Sequence, residues 1–383
     1  MCPERTVISR EECRVRILII NCVCGIRSTG RICTELAEQF MAEGNEVRIA
    51  YGRMEEVPEE YQNLAVRIGT KKDLIFHVLR TRLFDQHGFG SVRATRRFLQ
   101  WAEEYKPDLV WLHNIHGYYI NVEMLFSWIK THPEMLVRWT LHDCWAFTGH
   151  CAYFTAAKCE QWKDHCLHCI QRKEYPSCYG WGSVERNYDR KKAAFTGVSN
   201  MMLITPSQWL ANLVRQSFLK EYPVEVHYNA INTDVFKPTP GNFRACYQLQ
   251  DKIIVLGVAS TWDDRKGLRD FLLLAKMLDE RFTIVLVGLN PKQLKSLPPN
   301  IKGIGRTNDA RELAELYTAA DVFVNPTYED NYPTVNLEAA ACGTKVITYD
   351  TGGCRETIQN TQGVVVGTGC LEDLYREILK SAT

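Results

Sequence analysis

The chain has 383 residues, enough for two ordinary domains that each bury their own core. Its apolar content of 45% and charged content of 24% are those of a globular protein. A formal net charge of +1 excludes the broad basic field of a nucleic-acid-binding protein, so any basic surface is local and no nucleic-acid partner is expected.

Residues 1–13 (MCPERTVISREEC) lack the apolar run and the small-residue cleavage pattern of a secretory signal and read as a loose extension. No apolar stretch reaches the roughly 18 residues that span a bilayer, which predicts a soluble or at most peripheral protein. Fifteen cysteines without a secretory signal point to a reducing compartment, where thiols stay free or bind metal.

Arg16 to Cys22 (RILIINC) is a compact apolar run, followed by a turn, a helical pattern from Arg31 to Glu43, and a second strand from Val47 to Tyr51. Strand, turn, helix, strand is the opening of a parallel α/β sheet. In the turn CGIRSTGR, Gly25 and Gly30 permit close backbone approach, while Ser28 and Thr29 can cap the helix. Leu74 to Leu99 mixes aromatics with Arg80, Arg82, Arg93, Arg96 and Arg97, a face that can receive an acidic acceptor, touch an anionic membrane, or simply be solvated.

Leu109 to Leu112, Val137 to Leu141 and Leu203 to Thr205 are expected as further strands. His113 and His116 follow the first of these, and His142 and Asp143 the second. Carboxyl ends of strands in open α/β sheets line ligand clefts, which makes these residues candidates for the site.

Cys151, Cys159, Cys166 and Cys169 lie in a cysteine-rich insert and include one C-x-x-C pair, the knuckle spacing of thiolate zinc sites. A structural Zn²⁺ on these four, with His165, His168 or Cys178 as substitutes, is one expectation; free thiols are the other.

Asn229 to Asn242, rich in Asn, Thr, Pro and Gly, reads as a junction, after which a second series of strands begins: Ile253 to Val258, Thr283 to Val287, Asp321 to Val324 and Lys345 to Thr348. Helices are expected between them, at Leu268 to Leu278 and Ala310 to Ala319 among others, and a last one at Leu371 to Leu379. In TWDDRKG, after the first of these strands, Arg265 can clamp a diphosphate as a fork and Lys266 as a point charge.

The stretch YEDNYPTVNLEAAACG, Tyr328 to Gly343, carries the most information. Thr334 through Cys342 read as a short helix stopped by Gly343, with the first-turn amides of Thr334 and Val335 and the positive dipole end suited to a phosphate. Glu338, one turn inside, can accept two hydrogen bonds from a vicinal diol such as a ribose; Asp330, on the loop before the helix, can do the same for a sugar. Dipole and two acids together suggest a nucleotide-sugar site.

This stretch resembles the paired acids, separated by seven intervening residues, of retaining glycosyltransferases of family 4, which adopt the GT-B fold. Asp330 stands where the family's first glutamate commonly falls, with Glu329 just before it, which leaves open which of the two meets the sugar. Lys266 followed by Gly267 is similar to the family's diphosphate-binding loop, with Arg265 taking the part of an arginine that the family places near Thr261. Gly303 to Thr307, followed by Asp309, Leu313, Tyr317 and Asp321, resembles the segment beside the nucleotide base, which draws in Arg306. The CGIRSTGR loop with Gly30 is similar to the family's first-domain glycine loop, and His113 or His116 fits a histidine that contacts the transferred sugar.

The resemblance implies an α/β GT-B protein with two Rossmann-like domains facing an interdomain cleft. The expected boundaries are 14–235, with the insert at 144–178, and 236–383. The implied activity is retaining transfer from a nucleotide-diphosphate sugar to a glycan or lipid-linked acceptor, without a catalytic metal, at the cytoplasmic face of a membrane. A non-catalytic GT-B-like binding module and a nucleotide-sugar epimerase are the alternatives. The family's final helix returns to the first domain, whereas this chain is expected to stop short of that.

Overall fold

A computed structural model describes residues 14–54, 56–307 and 309–382; the extension expected at 1–13 lies outside the described residues. The chain divides into two compact units. The first holds residues up to Ala152, Gln161–Ile204 and Arg215–Glu225; the second holds Tyr153–Glu160, Thr205–Val214 and Val226 onward.

In the first unit, β1 (Arg16–Ile20), β2 (Glu46–Tyr51), β3 (Ala65–Arg67), β4 (Leu109–Leu112), β5 (Leu136–Thr140), β6 (Met201–Thr205) and β7 (Val224–Val226) form one sheet, ordered β3-β2-β1-β4-β5-β6-β7. Pairs from β3 through to β6 run parallel. Its helices are α1 (Arg27–Ala42), α2 (Lys71–Phe84), α3 (Val92–Tyr105), α4 (Val122–Lys130) and α5 (Val184–Phe195). The apolar runs become strands because both faces are covered: Ile17, Ile19, Val47 and Ile49 pack with Cys33 and Ala37 of α1.

The second unit contains α6 (Gln208–Val214), α7 (Phe243–Cys246), β8 (Ile253–Val258), α8 (Leu268–Met277), β9 (Phe282–Val287), α9 (Pro291–Lys295), β10 (Ile301–Ile304), α10 (Ala310–Ala319), β11 (Val322–Asn325), α11 (Thr334–Ala341), β12 (Lys345–Tyr349), β13 (Val364–Val366) and α12 (Leu371–Leu379). Its six parallel strands are ordered β10-β9-β8-β11-β12-β13. Period-two alternation divides each strand between two cores. Val255, Ile284 and Leu286 pack on one face with Phe271 and Leu274 of α8; Ile254, Leu256, Val285 and Val287 pack on the other with Leu316, Tyr317 and Ala339.

Each sheet has one topological switch point, where successive strands begin to add on the opposite side. In the first unit it lies between β1 and β4, and in the second between β8 and β11. Crevices for ligands form there, outside the carboxyl ends of the strands. The loops leaving β8 and β11 carry Arg265, Lys266, Glu329 and Asp330; those leaving β1 and β4 carry Cys24, Gly25, His113 and His116.

One boundary moves. The first helix starts at Arg27 and not at Arg31, so Gly30 sits in its opening turn and Ser28 and Thr29 are helical residues. Ile26 is the N-cap and contributes no side-chain cap. A side chain on Gly30 would come within 3.1 Å of Val23 and 3.3 Å of the Gly25 amide nitrogen, and the Gly30 carbonyl accepts that amide at 3.2 Å. Its small size thus lets the strand-to-helix turn fold back on the helix.

Candidate active site

The loops after β8 and β11 are laced together by backbone. The Tyr328 amide donates to the Arg265 carbonyl at 2.8 Å, and the Thr327 hydroxyl donates to the same oxygen at 3.3 Å. Gly267 follows with a φ of +74°, and a side chain there would lie 2.2 Å from the Pro326 carbonyl oxygen, so the glycine lets the two loops close on each other. This contact sets the Lys266 ammonium on the Asp330 carboxylate, a half-buried ion pair with side-chain exposures of 20% and 17%. Arg265 donates to the Glu329 carbonyl at 3.0 Å, and its guanidinium stands 5.6 Å from the ring centre of Tyr153.

Asp330 is also held from beneath. Gly352, at a φ of +54°, has space for a Cβ only 1.7 Å from the Asp330 carbonyl oxygen, and Gly353 only 2.1 Å from that of Asn331. The Gly353 amide donates to the Asn331 carbonyl at 2.9 Å, and the Ser207 hydroxyl donates to the Asn331 side-chain oxygen at 2.6 Å. Under the same loop, buried Asp270 accepts from the hydroxyls of Tyr328 and Tyr349 at 3.0 and 2.8 Å. Burial, followed by the Asp270 hydrogen bond, raises the Tyr328 phenol to about 12. These buried polar groups are paired, as a low-dielectric position requires, and they fix the loop.

α11 starts at Thr334 as expected, after Pro333, and has no side-chain cap. The amides of its first turn, those of Thr334 and Val335 among them, therefore have no capping side chain over them. Inside the helix Asn336 is clamped: it accepts from Asn325 and donates to Thr357, both at 2.9 Å.

Two carboxylates differ from the expectation of open, ligand-facing acids. Glu338 is 9% exposed, and one of its oxygens accepts the Tyr317 hydroxyl of α10 at 3.0 Å. Burial, and then the charge and hydrogen bond of Glu338, push the Tyr317 phenol well up. Glu329 is 6% exposed and accepts the Ala156 amide at 2.9 Å, so its side chain ties the loop to segment 153–160 while Asp330 is the more open of the pair. Arg306 is exposed just beyond β10. Sequence reasoning placed Tyr317 only in the stretch beside the nucleotide base and not on Glu338; it missed Asp270, Tyr153 and Ala156 altogether.

In the first unit the two expected histidines are buried and engaged. His113 Nδ1 lies 3.0 Å from His142 Nε2 with the rings stacked, and burial, reinforced by His142, holds the His113 imidazole well below the usual range. His116 is held on both sides: Nδ1 lies 3.1 Å from the Tyr175 hydroxyl and Nε2 3.0 Å from Asp143 Oδ2. Burial works to raise the Asp143 carboxyl, but the charge and hydrogen bond of His116, together with the hydrogen bond that the Trp145 amide donates to Asp143, outweigh it and leave that carboxyl below the ordinary aspartate range. His113, His116, His142, Asp143 and Trp145 line a cavity of about 10 Å³, room for roughly one water.

The expected zinc finds no support. Among the described residues no group of three or more His, Cys, Asp or Glu side chains is placed to hold a metal ion, so Cys151, Cys159, Cys166 and Cys169 do not converge on one. Cys151 and Cys169 do meet, and the hydrogen bond from Cys151 draws the Cys169 thiol down to about 6. The C-x-x-C spacing misled because it fixes only the separation of Cys166 and Cys169 along the chain; Cys166 is buried and Cys159 half-buried.

Comparison with known proteins agrees with this architecture. The chain is 24% identical over 309 residues to an Escherichia coli K12 protein whose assignment as the colanic acid biosynthesis glycosyl transferase WcaC is itself provisional, a match covering 74% of this chain and 70% of that one. Sucrose-phosphate synthase from Thermosynechococcus elongatus superimposes with a TM-score of 0.68 at 18% identity, over 96% of this chain and 89% of that one. Anabaena HepE in complex with UDP superimposes with a TM-score of 0.64 at 15% identity, over 96% and 90%. These likenesses establish the GT-B fold. The sequence model of Glycosyltransferase Family 4 matches residues 29–235 and that of Glycosyl transferases group 1 matches 251–383. With more than half its length matched by the first of these models, the chain belongs to glycosyltransferase family 4.

Proposed function

We propose that the protein transfers a sugar, with retention, from a nucleoside-diphosphate donor to a hydroxyl of a glycan or lipid-linked acceptor in polysaccharide assembly. The observation that carries this reading is the Lys266–Asp330 pair beside the uncapped start of α11, at the switch point of the second sheet. The UDP held by a protein of the same fold supports a nucleoside diphosphate, and the colanic acid relative supports a polysaccharide product. Retention and independence from a catalytic metal rest on the family resemblance.

In this reading the diphosphate takes Lys266 and the first-turn amides of Thr334 and Val335, with Arg265 adding charge. Charge growing on the departing phosphate is stabilised by groups already in place, the largest rate effect available without a covalent intermediate. Asp330, released from Lys266 by the incoming phosphate, orients the donor sugar, and Glu329 acts by holding the loop. Glu338, oriented by Tyr317, meets the ribose, and Arg306 lies towards the base. In the first unit the Gly30 turn and His116, with His113 beside it, are the site residues that the family resemblance implies. The protein works at the cytoplasmic face of a membrane, and the cysteine insert is given no metal.

The experiment is release of nucleoside diphosphate from a panel of nucleotide sugars, with and without a lipid-extracted glycan acceptor. Release that needs acceptor and disappears in Lys266→Ala is the expected result. Acceptor-independent interconversion of the sugar would identify an epimerase, and absence of turnover with every donor would leave a binding module.

A further inference from the structure

The thiols of this chain differ sharply in their surroundings. Cys24, Cys33 and Cys342 are buried, and burial raises Cys24 and Cys342 to about 11 and Cys33 well above the ordinary value. Thiols held that way are inert packing groups. Cys169, in the cysteine-rich insert, is the opposite case. It is half-buried, and its sulfur accepts two hydrogen bonds, from the Cys151 thiol and from the Gln171 amide. The Cys151 bond, then the charge of His150 and the Gln171 amide, outweigh burial and the Asp85 carboxylate. His150 is itself fixed, with Nδ1 2.6 Å from Asp85 Oδ1 and both side chains fully buried. The thiolate form of Cys169 is therefore held by donors already in place.

Cys151 is the complement of Cys169. It is buried, and its hydrogen bond to Cys169, followed by burial, keeps its own thiol protonated by pushing it well up. The backbone around it is pinned. The Thr148 hydroxyl donates to the Cys151 carbonyl at 2.6 Å, the Cys144 amide donates to the Ala152 carbonyl at 2.9 Å, and the buried Lys191 ammonium donates to the carbonyls of Trp145 and Thr148 at 2.7 and 2.9 Å. The pair is thus asymmetric: one accessible sulfur favours the thiolate, and one enclosed S–H is aimed at it. An accessible thiolate beside a second thiol is the arrangement in which one sulfur is oxidised and the other resolves it. Among the described residues no third His, Cys, Asp or Glu joins the two in an arrangement fit to hold a metal ion.

We propose that Cys169 is a modification site for peroxides and that Cys151 converts the product into a disulfide. The Cys169 thiolate attacks one oxygen of the peroxide, the O–O bond breaks, and the other oxygen leaves as hydroxide or alkoxide. Cys169 becomes a sulfenic acid and the peroxide is reduced by two electrons. The Cys151 sulfur then attacks the Cys169 sulfur: the S–S bond forms, the S–O bond breaks, and the Cys151 proton leaves with the hydroxide as water. The two sulfurs already share a hydrogen bond, so closing them to a bond of about 2.0 Å asks little of the backbone. The bridge closes residues 151–169 into a covalent loop. Within that loop Tyr153 stands against Arg265 and Ala156 donates to Glu329, so the modification constrains the segment that braces the loops after β8 and β11.

The test is made on the reduced full chain and needs neither donor nor turnover. The protein is treated with equimolar hydrogen peroxide, remaining thiols are blocked with iodoacetamide, and tryptic peptides are mapped by mass; trypsin cuts between the two cysteines at Lys158 and Lys163. A linked pair of peptides carrying Cys151 and Cys169, short of two hydrogens, is expected before oxidation reaches the exposed Cys246 and Cys370. In Cys151→Ala the reaction stops at the sulfenic acid, which dimedone captures on Cys169. Without peroxide, iodoacetamide alkylates Cys169 of wild type with a midpoint at about pH 6, and the midpoint rises in Cys151→Ala as the hydrogen bond is lost. Four results would overturn the proposal: oxidation that begins at Cys246 or Cys370, a bridge from Cys169 to Cys159 or Cys166 formed as readily as to Cys151, an alkylation midpoint at the ordinary thiol value of about 8.5, or zinc retained by the purified chain and released when Cys169 is alkylated.

Discussion

The ammonium of Lys266 rests on the carboxylate of Asp330, joining the loops that leave the two strands at the second unit's switch point. The pair is self-neutralised, so its partners work against each other for a dianionic ligand. Asp330→Asn removes the competing charge, and a nucleoside diphosphate is expected to bind as tightly as to wild type or tighter while turnover falls at least tenfold. Steady-state kinetics and a binding titration on the same preparation check this. Parallel loss of both would show that Asp330 only maintains the loop.

Tyr317 donates to Glu338 from α10 and thereby sets the direction of that carboxylate. Tyr317→Phe removes one hydrogen bond to a charged acceptor, an interaction of about 1.5–3 kcal/mol. The donor KM is expected to rise several-fold with kcat less affected, because the ribose is bound alike in ground and transition states. An unchanged KM would separate Glu338 from the donor.

Gly352 is the support beneath Asp330. Gly352→Ala puts a methyl group where the Asp330 carbonyl oxygen stands 1.7 Å away, at a φ of +54°. Backbone must move, at a cost of about 1–3 kcal/mol. The expected variant folds, melts several degrees lower, and loses more turnover than its stability loss explains; wild-type activity would show that the loop tolerates displacement.

Much of this was legible in the chain. The limits of β4, β8, α10 and α12 coincide with the runs read from pattern alone, because fully buried strands and amphipathic helices advertise their period. The three-residue strands β3, β7 and β13 were not anticipated, being too short to show alternation. The acid pair and Lys266 stood out through spacing and neighbouring glycines. What held them did not: Tyr317 lies 21 residues from Glu338 and Ala156 lies 173 from Glu329, so these hydrogen bonds exist only once the sheet is assembled. The zinc expectation failed for the same reason, since C-x-x-C spacing says nothing of where the other two thiols go.

His77 supplies a pH dependence whose sign follows from geometry. Its Nε2 accepts two amides, so the native ring is neutral there, and burial lowers its pKa from 6.5 to about 4. The unfolded chain thus takes up a proton that the folded one refuses between those values. Stability is full above pH 6.5 and declines as pH falls towards 4, by about 3 kcal/mol at most from this group. Melting temperatures from pH 7.5 to 4.5 check it: a decline that is shallower in His77→Gln is expected, and an identical slope would remove His77 as the cause.

The central claim, that the loops after β8 and β11 receive a nucleoside diphosphate, is tested most directly by calorimetric titration of UDP and its purine and pyrimidine counterparts into wild type and Lys266→Ala. At least one nucleotide should bind wild type and bind the variant roughly ten- to a hundredfold more weakly, the effect of losing one charge-assisted phosphate contact. Equal affinity in the two proteins, or no heat with any nucleotide, would contradict it.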